Sequence, residues 1–573
     1  STGILTASGG AAADNVGKVT IQAGLSGTGT VNTGNITGIG AQSGNLYING
    51  PQTYTGGQIN YDGRIQIDMT GNIVVTGLEA TNAAGQGGNI IVRSTGGNVT
   101  VNTNGIMSFS NGAGNSSGEV TVLATNGAVS ITGGINASMA NGATGNSIAI
   151  AGGSVILPTG DINSSVTTTT GDGSDVTIVA NGNISVNNVI ASGGSTSGSG
   201  GRIYMHGGNS GTGNITALNL TSTGNNGSDG VRIIAPGIVS LGNLNSSSSS
   251  SAGGFITVQA GTSGTSRAPA QSGMLTIGTI NATGASGGYV RINNLGTNGG
   301  ITTSDITANA TLNGAGCSGI SIVAHGTVTT GNISATSNGG GSYGGSAFIS
   351  SGATSGTAIS TGFIDLDGNT RGDTWLIRNA GASNSTGTIT DGTTFNGVPT
   401  APIANIVGTT TITVRPGTVT GYNPGGFDSV NAPAGTLTIN TDNADGARVL
   451  IAVRGGDVSL SALISDNNGA GNGIQIGSAG DVNITTSVSG VPALTHMQVV
   501  SSAGSISLPT ISDNNMIAGI AAYSSQGFTL SNGNSLTLSN GFAGRTLAIR
   551  VAWGGINLGS ANNQTNNTIN VSD

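Results

Sequence analysis

Of 573 residues, 106 are Gly, about 18% against a usual 7% or so, while only 6% are Asp, Glu, Lys or Arg against a usual quarter. An apolar share of 35%, a mean hydropathy of +0.11 and a formal charge of −8 are too hydrophobic and too weakly charged for a disordered chain. Collagen is excluded by 11 Pro and the lack of a Gly at every third position. Lys18 is the only Lys and Glu79 and Glu119 the only Glu, and a pI near 4.7 without a basic cluster argues against nucleic acid and polybasic membrane contacts.

From the first residues onward, a short apolar alternation returns after Gly-rich turns. It appears at Val19/Ile21, Leu46/Ile48, Ile65/Ile67, Ile90/Val92, Val120/Val122, Ile148/Ile150, Val176/Ile178, Ile203/Met205, Val231/Ile233, Ile256/Val258, Val290/Ile292 and Ile320/Ile322. From Ile90 the steps are 30, 28, 28, 27, 28, 25, 34 and 30 residues, the period of a solenoid. Each period subdivides, as in Ser174–Ala180, Gly182–Val186 and Val189–Gly193, where apolar residues alternate with Thr, Ser or Asn between Gly-Asn and Gly-Gly turns. No stretch sustains a helical period.

Successive turns with strands in one order satisfy the backbone by pairing each strand with its counterpart one turn away. The expectation is an all-β chain folded as a right-handed parallel β-helix, a β-solenoid of about 20 rungs of 24–30 residues with three short strands per rung. Val and Ile stack inward, Thr, Ser and Asn face water, and Gly or Asn turns the corners.

The pattern loosens between about 350 and 440, where Pro399, Pro402, Pro416, Pro424 and Pro433 fall with Trp375 and Phe395. The chain therefore divides into a solenoid segment 1–350, an irregular insertion or junction 351–440, and a second solenoid 441–573. Leu450, Ile474 and Val499 mark the shorter steps of the last segment, with Gly456–Leu460, Gly480–Ile484 and Gly504–Leu508 as cognate second strands.

The rungs Gly34-Asn-Ile-Thr37, Gly213-Asn-Ile-Thr216 and Gly480-Asp-Val-Asn-Ile-Thr485, with the scarcity of Lys and the lone Cys317, resemble the repeat regions of secreted bacterial β-helix proteins. The nearest in style are filamentous-haemagglutinin-like exoproteins and autotransporter passengers. The resemblance implies an extracellular or cell-surface protein serving adhesion, biofilm or a surface filament. An amino-terminal secretion domain is not recognisable from Ser1 onward, and Ser1 itself begins in mid-pattern, as in a mature or trimmed chain.

Parallel β-helices also carry polysaccharide lyases and hydrolases, and glycoside hydrolysis needs two facing carboxylates. Here Asp is scattered, no paired Asp motif recurs, and His206, His325 and His496 lie in separate rungs without metal-ligand spacing. No catalytic residue is assigned. An enzyme should show one local cluster of acidic and basic side chains in a groove, whereas a rod should show uniform faces; a phage-type fibre is a third reading.

The densest acidic stretch is Asp365-Leu-Asp367-Gly-Asn369-Thr-Arg371-Gly-Asp373, where oxygens at every second residue make Asp365, Asp367, Asn369 and Asp373 a calcium candidate. The bidentate Glu of a calcium loop is replaced by Leu376. Arg371, Gly372 and Asp373 also form the tripeptide by which some extracellular proteins engage integrins, and cell-surface or matrix glycans and proteins are the partner classes considered. Asn35, Asn98, Asn136, Asn183, Asn214, Asn281, Asn332 and Asn483 sit in glycosylation sequons that the repeat itself generates. Cys317 allows no internal disulfide and reads as a small hydrophobe in a rung. No membrane-spanning segment is present, since no run approaches roughly 20 apolar residues. Both ends, Ser1–Thr6 and Thr568–Asp573, are strand-like, so either the chain is a piece of a longer one or its ends pair in end-to-end self-association.

Overall fold

The computed structural model describes residues 3–7, 17–23, 29–40, 44–81, 87–110, 115–140, 146–261, 273–312, 319–337, 343–353, 355–366 and 371–377, and thereafter the strand stretches 382–386, 389–391, 404–406, 410–414, 427–440, 448–453, 458–466, 472–478, 481–491, 494–501, 505–508, 519–524, 527–530, 546–551 and 556–558. Among these residues every regular element is a strand, and the chain is a parallel β-solenoid. It comprises two compact units, Ser1–Ala308 and Asn309–Asp573.

In the first unit one face is a ladder of parallel strands running from Lys18–Gln22 to Tyr289–Asn294. The apolar alternation dictates the register, because a slip of one residue would turn every Val and Ile into water. Val19 pairs with Leu46, Leu46 with Ile65, Ile65 with Ile90, Ile90 with Val120, Val120 with Ile148 and Ile148 with Val176. The same column continues through Ile203, Val231, Ile256 and Val290. From Leu46 onward these side chains are buried, and each contributes roughly 1.5–3 kcal/mol relative to exposure.

The other faces are less uniform than three short strands per rung. Early turns carry one long second strand, Tyr54–Tyr61, Ile73–Glu79 or Val99–Met107. Val99–Met107 then meets two separate strands of the next turn: Val99–Val101 pairs with Val129–Ile131, and Ile106–Met107 with Ile135–Asn136. The break falls at Gly105, whose φ of 63° bends the chain where a Cβ would press on the backbone of Gly133 and Gly134. Later turns repeat this division, as in Val176–Ala180, Ile184–Val186 and Val189–Ile190.

Asn is frequent because its side chain ties one turn to the next. The Oδ1 atoms of Asn35, Asn98, Asn183 and Asn214 accept from the backbone N–H of Gln58, Ala128, Asn214 and Ile238, at 2.8–3.0 Å. A second ladder passes from Asp161 to Asn188 to Asn219 to Asn243 to the N–H of Thr279. Sequon residues Asn136 and Asn281 instead accept from N–H groups two residues ahead. Inside, Ser164 and Ser222 donate to the carbonyls of Ser174 and Gly201 at 2.8 and 2.6 Å, so buried hydroxyls satisfy corner carbonyls.

Within the second unit, Ile320 and Ile322 pair with Ala347 and Ile349. Val458, Val482 and Ile506 form the expected second-strand column. The spacing of Leu450, Ile474 and Val499 requires correction: Val449 pairs with Ile474 and Ile474 with Met497, while Leu450 faces Gln475. The run Val449–Leu450–Ile451 is apolar at every position, so alternation does not distinguish the two registers. Pro433 sits between Ala432 and Thr436, where the pairing of Phe427–Asn440 with Val458–Asp466 shifts register, a place where a missing N–H costs no ladder bond. Pro399, Pro402, Pro416, Pro424 and Phe395 lie outside the described residues.

Among the described residues the turns number about 12 rather than about 20. The expected number divided all 573 residues by the rung spacing, and stretches such as 392–403, 415–426 and 531–545 lie outside the described residues.

Candidate functional site

In the middle of the long ladder of the first unit the outward side chains of one column are small, with Thr121, Ala149 and Thr177 on successive turns. The next members of that column are Tyr204 and Arg232, followed by Thr257 and Arg291. The adjoining column, one residue earlier in each strand, holds Asp175, Arg202, Gly230, Phe255 and Tyr289. In a chain with 6% charged and 3% aromatic residues, this is a local concentration on a rigid sheet.

Gly230 makes the concentration concave. Its φ of 94° suits Gly, and a Cβ there would overlap the carbonyl oxygen of Phe255. With no side chain in that row, Arg202 and Phe255 stand about two strand spacings apart, roughly 9–10 Å. The resulting groove of about 460 Å³ has Gly230 as its floor and Arg202, Tyr204, Asp229, Arg232 and Phe255 along its sides. Phe255 is 66% exposed, and its ring centroid lies 6.2 Å from that of Tyr289 at a tilt of 53°. The Arg232 guanidinium lies over the Tyr204 ring, 5.8 Å from its centroid, and an edge contact joins Tyr204 to His206 at 6.4 Å.

Electrostatically the groove is mixed. Arg202 Nη2 lies 3.4 Å from Asp175 Oδ2, an exposed pair of small energetic weight, and the Arg202 N–H also donates to Asp175 Oδ1 at 2.8 Å. Asp172 Oδ1 accepts from the Ser199 N–H at 2.7 Å. Desolvation, and then the Asp175 carboxylate, raise the pKa of Asp229 above its ordinary value; Arg202 opposes this and Asp172 adds to it. At the opposite edge, desolvation and then the charge of Arg232 push His206 below its usual 6.5, and His206 Nε2 is buried without a hydrogen-bond partner.

Because folded His206 binds a proton less readily than unfolded His206, its contribution is neutral above pH 6.5 and destabilising below. Stability should fall as pH drops from about 6.5 through the lowered native value. His206→Gln should flatten that part of the curve. Urea midpoints of both proteins across pH 4.5–7.5 check this: parallel curves would show that His206 does not contribute.

The sequence-derived candidates are dispersed. Asp365 is half-buried in the strand Ile364–Leu366, paired with Ser334. Arg371, Gly372 and Asp373 open the strand Arg371–Ile377, with Arg371 opposite Tyr343 and Asp373 opposite Ser346. Asp367 and Asn369 lie outside the described residues, as does Cys317. Among the described residues no three His, Cys, Asp or Glu side chains converge to hold a metal, and no helix is long and apolar enough to cross a membrane. His325 is exposed, and His496 lies in the strand Leu494–Ser501. Of the terminal strands, Leu5–Thr6 pairs with Ile36–Thr37, whereas Thr568–Asp573 lies outside the described residues.

The groove escaped sequence reasoning because its members on successive turns are 23 to 30 residues apart, as from Arg202 to Asp229 and from Arg232 to Phe255. The available signal was a break in pattern, Tyr204 and Arg232 standing in a column whose flanking rungs carry Thr177 and Thr257. In comparison with known proteins, the chain matches no family model, no curated protein and no solved structure.

Proposed function

We propose that this chain is an extracellular structural and adhesive β-solenoid, rod-like and non-enzymatic, in the manner of filamentous-haemagglutinin-like exoproteins and autotransporter passengers, and that the groove at Gly230 is its adhesive contact. The observation that carries this reading is the groove itself, in which Arg202, Arg232 and Phe255 are exposed and Tyr204 is half-buried around the row that Gly230 leaves without a side chain. Rigid aromatic and guanidinium groups on a fixed sheet bind with little ordering cost, and open grooves with a few polar groups suit glycans and protein surfaces. End-to-end association would multiply such contacts along a filament. The test is adhesion of beads coated with the purified chain to glycan- and protein-coated surfaces, beside electron microscopy at several concentrations. Phe255→Ala should abolish most bead retention without altering particle shape; retention unchanged by this substitution would refute the groove as the contact.

A second reading, a carbohydrate-active enzyme, is favoured by one observation: Arg202, Asp229 and Arg232 line one groove, with Asp175 paired to Arg202, which is the local cluster of acidic and basic side chains expected of an enzyme. Release of reducing ends or unsaturated products from polysaccharides, lost in Asp229→Asn, would establish it. A phage-type fibre has no comparable support.

A further inference from the structure

The groove's chemistry also narrows the ligand, on the reading that it is a glycan contact. Arg202 is engaged by Asp175 through its side chain. Arg232, by contrast, is exposed and makes no ion pair among the described residues; its neighbour is the Tyr204 ring, whose centroid lies 5.8 Å from the guanidinium. A planar, weakly hydrated guanidinium kept clear of carboxylates is matched by a planar anion bound through two parallel N–H donors. One strand further along, Phe255 offers an exposed apolar ring, steadied by Tyr289, and Gly230 leaves the place beside it, toward Arg202, without a side chain. Asp229 at the rim is a hydrogen-bond acceptor suited to hydroxyl groups. A ligand that fits must therefore combine a carboxylate, a flat apolar patch of C–H groups and vicinal hydroxyls within the width of one ring.

We propose that the groove binds a uronic-acid unit of an acidic polysaccharide, with Arg232 receiving its carboxylate, Phe255 underlying its ring and Asp229 accepting from its hydroxyls. A neutral hexose would leave the Arg232 guanidinium without an anion. An aliphatic carboxylate would leave Phe255 uncovered.

Titration calorimetry of the whole chain tests this with trisaccharides of galacturonate, mannuronate and glucuronate, each compared with its methyl ester. At neutral pH and low salt at least one acid should bind about tenfold or more tightly than its ester. Arg232→Gln should bring acid and ester to the same affinity, and Phe255→Ala should weaken both. Both side chains are exposed, so circular dichroism should show unchanged folds. The proposal is overturned if no acid is preferred over its ester, or if Arg232→Gln keeps the preference. Should acids and esters bind alike and Phe255→Ala still weaken them, the anionic specificity falls while the adhesive groove stands; should nothing bind and bead retention ignore Phe255, both fall.

Discussion

Ile178→Asp is expected to destabilise the first unit by roughly 5 kcal/mol or more, through the loss of a buried aliphatic side chain and the burial of an unpaired carboxylate. Ile178 is fully buried between Ile150 and Met205 of the preceding and following turns, and all three belong to one apolar column. Among the described residues no Lys or Arg is buried to meet a carboxylate there, and it has no route to water without opening the turn. Each turn of a solenoid contacts chiefly its neighbours, so the damage should spread outward from 178 as lost interfaces. Limited proteolysis should then reveal new cleavage in the turns flanking this strand, with the urea midpoint lowered. The conservative Ile178→Val, costing about 0.5–1.5 kcal/mol, supplies the scale. Equal midpoints for the Asp and Val variants would mean that this column is not a core.

Gly230→Val should have the second-largest effect, because two costs coincide at one backbone position. A β-branched residue at φ 94° costs on the order of 1–3 kcal/mol. Its Cβ also meets the backbone carbonyl of Phe255, which is held in the ladder and cannot rotate away as a side chain would. The new side chain then occupies the space between Arg202 and Phe255. Binding to the groove should be lost, with a fall in melting temperature, whereas Thr121→Val, at an outward position of the same sheet but outside the groove, should alter neither. Retained ligand binding in a folded Gly230→Val protein would show that the concavity is not the binding element.

These two positions mark how far the amino-acid order alone could be read. Ile178 was placed in the core by its alternation with Thr177 after Val176 and by recurrence at Ile150 and Met205, and its register partners are those residues. Alternation decides this wherever polar residues separate the apolar ones. At Val449–Ile451 they do not, and the inferred register was displaced by one residue. The number of turns failed for another reason, since a local period carries no information on how far it continues. Asn214 shows a subtler limit: its recurrence after Gly was evident, but its role in carrying an N–H bond from Ile238, one turn on, depends on a contact 24 residues away.

Sequence by itself thus determined the strand-forming period, the parallel pairing and the inward Val and Ile columns, because backbone hydrogen bonding and apolar burial act at every repeat and leave their mark at fixed spacing. Only the tertiary structure decided where Arg202, Asp229, Arg232 and Phe255 meet. Each is an ordinary outward residue within its own turn, and they become neighbours when parallel stacking places successive turns roughly 4.8 Å apart and Gly230 leaves the row between them vacant.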